Sequence, residues 1–287
     1  MRILFCGDGV GRAGRKVLLQ RLPEVRAALS LDAVVVNGEN AAGGFGITPT
    51  LCRDFYEAGA DLITTGNHVF DQRDLVGHIE RDPRLVRPLN MTPGTPGRGS
   101  VQIALADGRR LLVLQVIGRL FMGSYDDPFR ALEAELNRYP LGASVQAIVD
   151  ALHAEATSEK MAIGHLADGR ASLVAGTHTH VPTADAQILP GGTAYVSDIG
   201  MTGDYDSVIG MSKAIALQRF RTHVPGARNT PALGEATLCA VYLETDDASG
   251  LARRIAPVRL GGRLATAWPE GVRASPARRS ASRPSVG

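Results

Sequence analysis

The stretch Val174-Ala-Gly-Thr-His-Thr-His-Val-Pro-Thr-Ala-Asp-Ala-Gln187 decides how the chain is read. The run Ala171 to Ala175 is small and apolar and reads as a buried strand. The pattern changes abruptly at Gly176-Thr-His-Thr-His180, and Pro182 closes the segment. A strand that ends in His-x-His delivers two imidazoles to one sheet edge, where ligands of open α/β sheets gather. If the segment stays extended, His178 and His180 face the same way, because side chains repeat every two residues. Two imidazoles on one face suit one metal, or a bridge to a second. The competing reading is two half-exposed loop histidines.

Working outward, the same apolar-to-polar switch recurs. Arg2 to Gly7 reads as a strand, and Gly11 to Leu29 has helical spacing with Val17, Leu18, Leu22 and Val25 on one face. Ala33 to Val36 is a second strand running into Asn37-Gly38-Glu39-Asn40. Thr48-Pro49 reads as a helix cap followed by proline at the first helical position, with the helix ending near Gly59. Leu62 to Thr65 is a third strand, ending in Gly66-Asn67-His68. This alternation argues for a largely parallel sheet covered by helices.

Further along, residues 92–99 form a Pro/Gly loop. Val101 to Ala106 and Arg110 to Ile117 make a hairpin across Asp107-Gly108. Pro128 to Tyr139 and Thr157 to Leu166 read as helices, with a strand over Val145 to Val149 leading to Asp150 and His153. A second hairpin joins Gln187–Leu189 to Tyr195–Ser197. Val208 to Arg221 has helical character, and Ala236 to Glu244 and Ala252 to Leu260 are long strands. One domain over residues 1–264 is expected. A disordered Ala/Ser/Pro/Arg-rich tail over 265–287 holds Arg273, Arg278, Arg279 and Arg283.

The 287 residues carry 31 basic and 29 acidic side chains, a net charge of +2 that supplies no argument for general nucleic-acid binding. No apolar run reaches membrane-span length, and the N-terminal run is too short for a signal peptide. Cys6, Cys52 and Cys239 lack CxxC spacing and read as buried, reduced thiols, so a cytoplasmic location is expected. Assembly into a homo-oligomer is left open.

Polar candidates stand at several strand ends: Asp8, Glu39 with Asn40, Asn67 with His68, His153, and His178 with His180. Each has a plain alternative as a turn former, a solvated loop residue, a cap or a core histidine. Together they offer mixed oxygen and nitrogen ligation without thiolate, which suits Fe, Mn or Zn better than Ca or a structural zinc. Gly43-Gly44 and Thr177 are candidate phosphate donors, the other reading being loop flexibility. Asp71 either orients His68 or caps the helix Gln72 to Ile79. His78, His165 and His223 have no motif around them and read as structural or surface residues.

The series Gly7-Asp8, Asn37-Gly38-Glu39-Asn40, Gly66-Asn67-His68, His153-Ala-Glu-Ala-Thr-Ser-Glu-Lys160 and Gly176-Thr-His-Thr-His180 resembles the motifs of the calcineurin-like metallophosphoesterases. More narrowly it resembles their YmdB branch of bacterial 2′,3′-cyclic-nucleotide phosphodiesterases, over about residues 1–260. Asp198-Ile-Gly-Met-Thr-Gly203 and Tyr205-Asp-Ser-Val-Ile-Gly210 are particular to that branch. The usual first motif is Asp-x-His, and here position 10 is Val10.

The resemblance implies an α/β sandwich of mixed, largely parallel sheets flanked by helices. It implies two transition-metal ions, Fe foremost, with Mn and Zn as the alternatives. Asp8, Glu39, Asn40 and His180 would hold one ion. Glu39, Asn67, His153 and His178 would hold the other. His68 would be the general acid, and the substrate a small phosphoester such as a 2′,3′-cyclic nucleotide opened to the 3′-nucleotide.

Two rival readings stand beside this one. Gly9-Val-Gly11-Arg-Ala-Gly14 follows a strand and opens a helix, as a dinucleotide fingerprint does, and Glu39 lies near where a ribose-binding acid belongs. It leaves Asn67, His68, His153, His178 and His180 without a role. The other rival is a regulatory protein with a vestigial phosphoesterase site.

Overall fold

Apolar runs that switch to polar residues become parallel strands whose ends meet. The computed structural model describes residues 1–222 and 228–271, so His223 and residues 272–287 of the tail lie outside the described residues. The first half of the chain forms β1 (Arg2–Cys6), α1 (Gly11–Leu29), β2 (Ala33–Asn37), α2 (Pro49–Glu57), β3 (Leu62–Thr64), α3 (Arg73–Ile79) and β4 (Leu85–Val86). Then follow β5 (Ser100–Ala104), β6 (Arg110–Ile117), α4 (Pro128–Arg138), β7 (Ala147–His153), α5 (Thr157–Leu166) and β8 (Leu173–Thr177). The last elements are β9 (Gln187–Ile188), β10 (Ala194–Val196), β11 (Gly203–Asp204), α6 (Lys213–Thr222), β12 (Ala236–Thr245) and β13 (Ala252–Leu260).

One sheet has the order β11-β12-β1-β2-β3-β4, with β13 added against β12; the other runs β5-β6-β7-β8-β10-β9. Within them β1, β2, β3 and β4 are mutually parallel, as are β6, β7, β8 and β10. The sheets pack face to face through Ile3, Phe5, Val35, Leu62, Val113 and Val149. Alternate residues of the first sheet, such as Leu4 and Val36, pack outward on Leu18, Leu22 and Phe55 of α1 and α2. Those of the second, such as Leu112 and Ile148, pack on Leu132 and Ile163 of α4 and α5. The result is a four-layer sandwich whose central strands are coated on both faces, hence their continuous apolar runs.

Thr48 caps α2 as expected, its hydroxyl accepting from the Leu51 amide, with Pro49 next. Three local expectations change. The strand predicted to stop at Val149 continues to His153, because Asp150 is tolerated inside it. The helix predicted from Val208 starts at Lys213, after a turn in which Ile209 and Gly210 have φ of 48° and 88°. Residues 265–271, whose composition predicts disorder, are described, and Ala267 exchanges two backbone hydrogen bonds with Arg259. Cys6, Cys52 and Cys239 are free and buried. Among the described residues no helix is long and apolar enough to cross a membrane.

Asp150 lies between Leu114 and Val174 of the neighbouring strands, and neither carboxyl oxygen has a hydrogen-bond partner. Burial pushes its pKa from the ordinary 3.8 up to about 8. The folded state therefore holds this proton more tightly than the unfolded chain does. Its contribution to stability is greatest below the unfolded pKa and falls as pH rises, levelling above about 8. The slope from one such group is about 1.4 kcal/mol per pH unit. Asp150→Asn should lose it, so the variant gains stability relative to the parent between pH 5 and 7. Urea unfolding at several pH values reads this; identical slopes would place an ionised Asp150 in the folded protein.

Candidate metal centre and its rim

Five strand ends converge where the two sheets meet. β1 delivers Asp8, β2 delivers Glu39 and Asn40, and β3 delivers Asn67 and His68; β7 ends on His153, and β8 runs into His178 and His180. Asp8, Glu39, Asn40, His153 and His180 are buried.

The turn after β8 is not extended. His178 has φ 95° and His180 has φ 66°, so the expectation of two imidazoles on one strand face is overturned. The rings separate to opposite ends of the site. His178 Nδ1 lies 3.1 Å from His153 Nε2, and the two rings meet edge-on with centroids 4.8 Å apart. His178 Nε2 is 3.3 Å from Glu155, an acid that the sequence reading left without a role. His153 Nε2 is 3.0 Å from Asn67 Oδ1 and 3.5 Å from Glu39 Oε1. His180 Nε2 sits 3.2 Å from Asn40 Oδ1.

Hydrogen bonds from behind fix these groups. His180 Nδ1 donates to the Ile209 carbonyl at 2.8 Å, so in the neutral ring Nε2 is a lone pair. The Asn40 amide nitrogen donates to the Gly44 carbonyl at 3.0 Å, which turns its oxygen toward His180. Two acceptors thus face each other at 3.2 Å, an arrangement suited to a cation between them. Thr177 Oγ1 lies 2.9 Å from His153 Nδ1 and is buried. It therefore orients the imidazole and is unavailable as a phosphate donor.

The carboxylates carry the same message. Asp8 Oδ2 accepts from the His178 amide at 3.2 Å and Glu39 Oε1 from the His68 amide at 2.9 Å. The other oxygens, Asp8 Oδ1 and Glu39 Oε2, are buried without a hydrogen-bond partner. Burial raises both carboxyls above their ordinary range, Glu39 strongly and with help from the Asp8 charge. Burial lowers His153 well below the usual imidazole range and brings His178 down to about 4. Neutral imidazoles and buried, unpaired carboxylate oxygens form a donor set that fits transition-metal ions.

Across the rim, His68 Nδ1 is 2.9 Å from Asp71 Oδ2. The helix cap falls at Gln72, so of the two readings of Asp71 the geometry favours orientation of His68. Phe45 meets the His68 ring edge-on at 5.1 Å.

A thiol, an imidazole and a carboxylate also meet at Cys52, His78 and Asp82, within 4.8 Å of one another. There Asp82 accepts from the Tyr56 hydroxyl at 3.0 Å and the Arg84 amide at 2.9 Å, and lies 3.1 Å from His78 Nε2. Burial pushes the Cys52 thiol up to about 12. With its oxygens satisfied and its thiol protonated, this cluster ties α2 to the end of α3.

The Gly-x-Gly-x-x-Gly run serves packing. A Cβ at Gly14 would lie 2.2 Å from the Thr202 carbonyl oxygen, and the Val10 and Gly11 amides already donate to Thr202 and Asn40 at 2.9 Å. The helix terminus that would cradle a pyrophosphate is filled by the protein's own chain, and the dinucleotide reading fails.

Two face-to-face mixed sheets with helices outside, and acids, amides and imidazoles on one shared edge, define the metallophosphoesterase type of fold. The chain belongs to the YmdB-like family: the family model described as YmdB-like protein matches residues 4–258. It is 44% identical over 255 residues to the 2′,3′-cyclic-nucleotide 2′-phosphodiesterase of Bacillus subtilis, covering 89% of this chain and 95% of that one. A putative phosphatase/phosphodiesterase of Mycoplasma pneumoniae is 32% identical, with 86% and 88% of the two chains covered. A crystal structure of a hypothetical protein from Thermus thermophilus superposes with TM-score 0.85 at 43% identity, over 92% of this chain and all of the other. A structure described as a novel phosphatase from Mycoplasma pneumoniae gives TM-score 0.84 at 30% identity, covering 91% and 93%.

Gly66 admits the centre: a Cβ there would lie 1.5 Å from Glu39 Oε2 and 2.6 Å from His153 Nε2. Gly66→Ala should therefore lose about 1–3 kcal/mol of stability, read from its urea midpoint. A variant as stable as the parent would mean that Glu39 has another place to go.

Proposed function

We propose that this protein is a metal-dependent phosphodiesterase that opens 2′,3′-cyclic nucleotides to 3′-nucleotides at the shared sheet edge. Membership of the YmdB-like family makes it a phosphoric ester hydrolase. The observation that carries the reading is the pair of buried carboxylate oxygens without partners, Asp8 Oδ1 and Glu39 Oε2, among neutral imidazoles and amide oxygens.

Two ions, with Fe foremost and Mn or Zn as alternatives, would bind there. Asp8, Glu39, Asn40 and His180 would hold one; Glu39, Asn67, His153 and His178 would hold the other. The placement of His180 beside Asn40, and of His153 between Asn67 and His178, supports this division. When bound, such ions supply Lewis acidity, lowering the pKa of water and neutralising phosphate oxygens.

His68 stands at the rim, with Asp71 holding Nδ1 and leaving Nε2 to give a proton to the departing ribose oxygen. Substrate choice follows the Bacillus relative's name, and cleavage at the 2′ oxygen leaves the 3′-phosphate.

The purified protein should contain close to two transition-metal ions, and Glu39→Gln should lower both occupancies, because a bridging carboxylate serves both. Elemental analysis decides this, and full occupancy in the variant would remove Glu39 from the bridge.

His68→Ala should keep its metals and lose about 10²–10⁴-fold in turnover of 2′,3′-cyclic AMP. The loss should be much smaller with bis(p-nitrophenyl) phosphate, whose leaving group departs without a proton. Equal losses would argue against general acid catalysis. Chromatography of the cyclic AMP product tests the substrate assignment: a 2′-monophosphate, or no turnover by metal-loaded enzyme, would overturn it.

A further inference from the structure

We infer that the buried Lys160–Asp198 ion pair is the positioning device of the turn that carries His178 and His180. Lys160 closes the motif that begins at His153, yet it is neither a metal ligand nor an acid at the rim. Its Nζ donates to Asp198 Oδ2 at 2.8 Å and to the Thr177 carbonyl at 2.9 Å, and both side chains are 1% exposed. The same Asp198 oxygen accepts from the Thr179 amide at 3.1 Å and the Thr179 hydroxyl at 2.8 Å. Thr179 is the residue between the two histidines. One ammonium and one carboxylate oxygen thus hold the chain at 177 and 179.

The turn needs holding. His178 and His180 both have positive φ, a region that side-chain-bearing residues enter only at a cost in backbone strain. Such a conformation persists only where its surroundings over-determine it. The clamp is itself fixed: Asp198 Oδ1 accepts from the Gly200 amide at 2.8 Å, and the Asp198 amide donates to Thr183 Oγ1 at 2.9 Å. Lys160 arrives from α5, which follows directly on His153. The helix after one histidine strand therefore sets the histidines after the next.

A buried ion pair is a poor route to stability alone, since neutral groups of the same volume serve as well or better. What this pair adds is direction, because one oxygen can take three donors only if Thr179 is turned this way. Lys160 and Asp198 lie behind the site and act through His178 and His180, so they are positioning residues.

The inference rests on the metal-site reading for its consequence, and the test separates the two. Lys160→Met/Asp198→Asn removes both charges together and strands neither. It should melt within a few degrees of the parent. Its Thr179 amide should exchange with solvent at least about tenfold faster by NMR, while the sheet cores stay protected. Equilibrium dialysis with Mn²⁺ should show both equivalents weakened about 10- to 100-fold, the usual cost of losing an outer support. Thr179→Val, which keeps both charges and removes one clamp bond, should shift both readings less and in the same direction.

Unchanged exchange at Thr179 and unchanged Mn²⁺ affinity in the double variant would overturn the inference. If that variant fails to fold, the same unchanged readings in Thr179→Val overturn it. A parent protein that binds no Mn²⁺ defeats the metal reading, and Thr179 exchange in the variants still decides the clamp.

Discussion

Two carboxylates buried beside each other are the constraint on which the site turns. Asp8 and Glu39 stand at the ends of adjacent parallel strands, out of contact with water. Removing a carboxylate from water costs several kcal/mol even after the protein relaxes. Here one oxygen of each is compensated by a backbone amide and the other by nothing within the chain. The groups around them supply lone pairs where satisfying these oxygens would take donors. In such surroundings the carboxyls are driven up and the imidazoles down. A cation reverses both shifts, because it stabilises the carboxylate and needs the neutral imidazole.

The spacing of those groups is set by packing far from them. Asp8, Glu39 and Asn67 belong to the first sheet, while His153, His178 and His180 belong to the second. What holds one set against the other is the layer of Ile3, Phe5, Val35, Val113 and Val149 between the sheets. Segment 198–202 adds a second tie. The Ile199 amide donates to the Gly176 carbonyl, the Met201 amide to His180 and the Thr202 amide to Asp8. It runs across the gap between the sheets and bonds to the site strands of both, a physical reason for the length of the Gly176–Met211 region.

Strand ends were legible in the sequence because a strand buried on both faces leaves an unbroken apolar run that stops where the sheet stops. Asp8, Glu39, Asn67 and the histidine pair could be found that way. The shape of the His-x-His turn could not. Alternation describes an isolated strand, and this turn is imposed by Asp198 and Lys160, 19 and 17 residues away from the residues they hold. Thr177 misled for a related reason: a hydroxyl beside a candidate site looks free until the ring behind it is placed. Asp150 concealed the true length of its strand, since a buried carboxyl without partners is the least expected residue there. The glycines at 9, 11 and 14 have the spacing of a phosphate loop and the job of admitting another segment of the same chain. Spacing alone does not distinguish the two.

His68 separates two roles that its sequence neighbours do not. Its backbone amide donates to Glu39, helping to hold a carboxylate at the heart of the site, while its ring points to the rim and pairs with Asp71. The other histidines of the site are tied from behind by Thr177 or by the Ile209 carbonyl, or wedged against another imidazole. His153 and His180 present Nε2 to Asn67 and Asn40 inside the site, while His178 presents Nδ1 to His153 and turns Nε2 to Glu155. An acid must reach a leaving group that approaches from solvent and exchange its proton afterward. The His68 side chain is 30% exposed, which fits the proposed acid; His178 is 26% exposed and His153 1%, so what sets His68 apart is its pairing with Asp71 at the rim. Because the structural contribution of residue 68 is made by its amide, truncating its side chain removes the ring and leaves the Glu39 contact in place. Chemistry and architecture are therefore separable at this position.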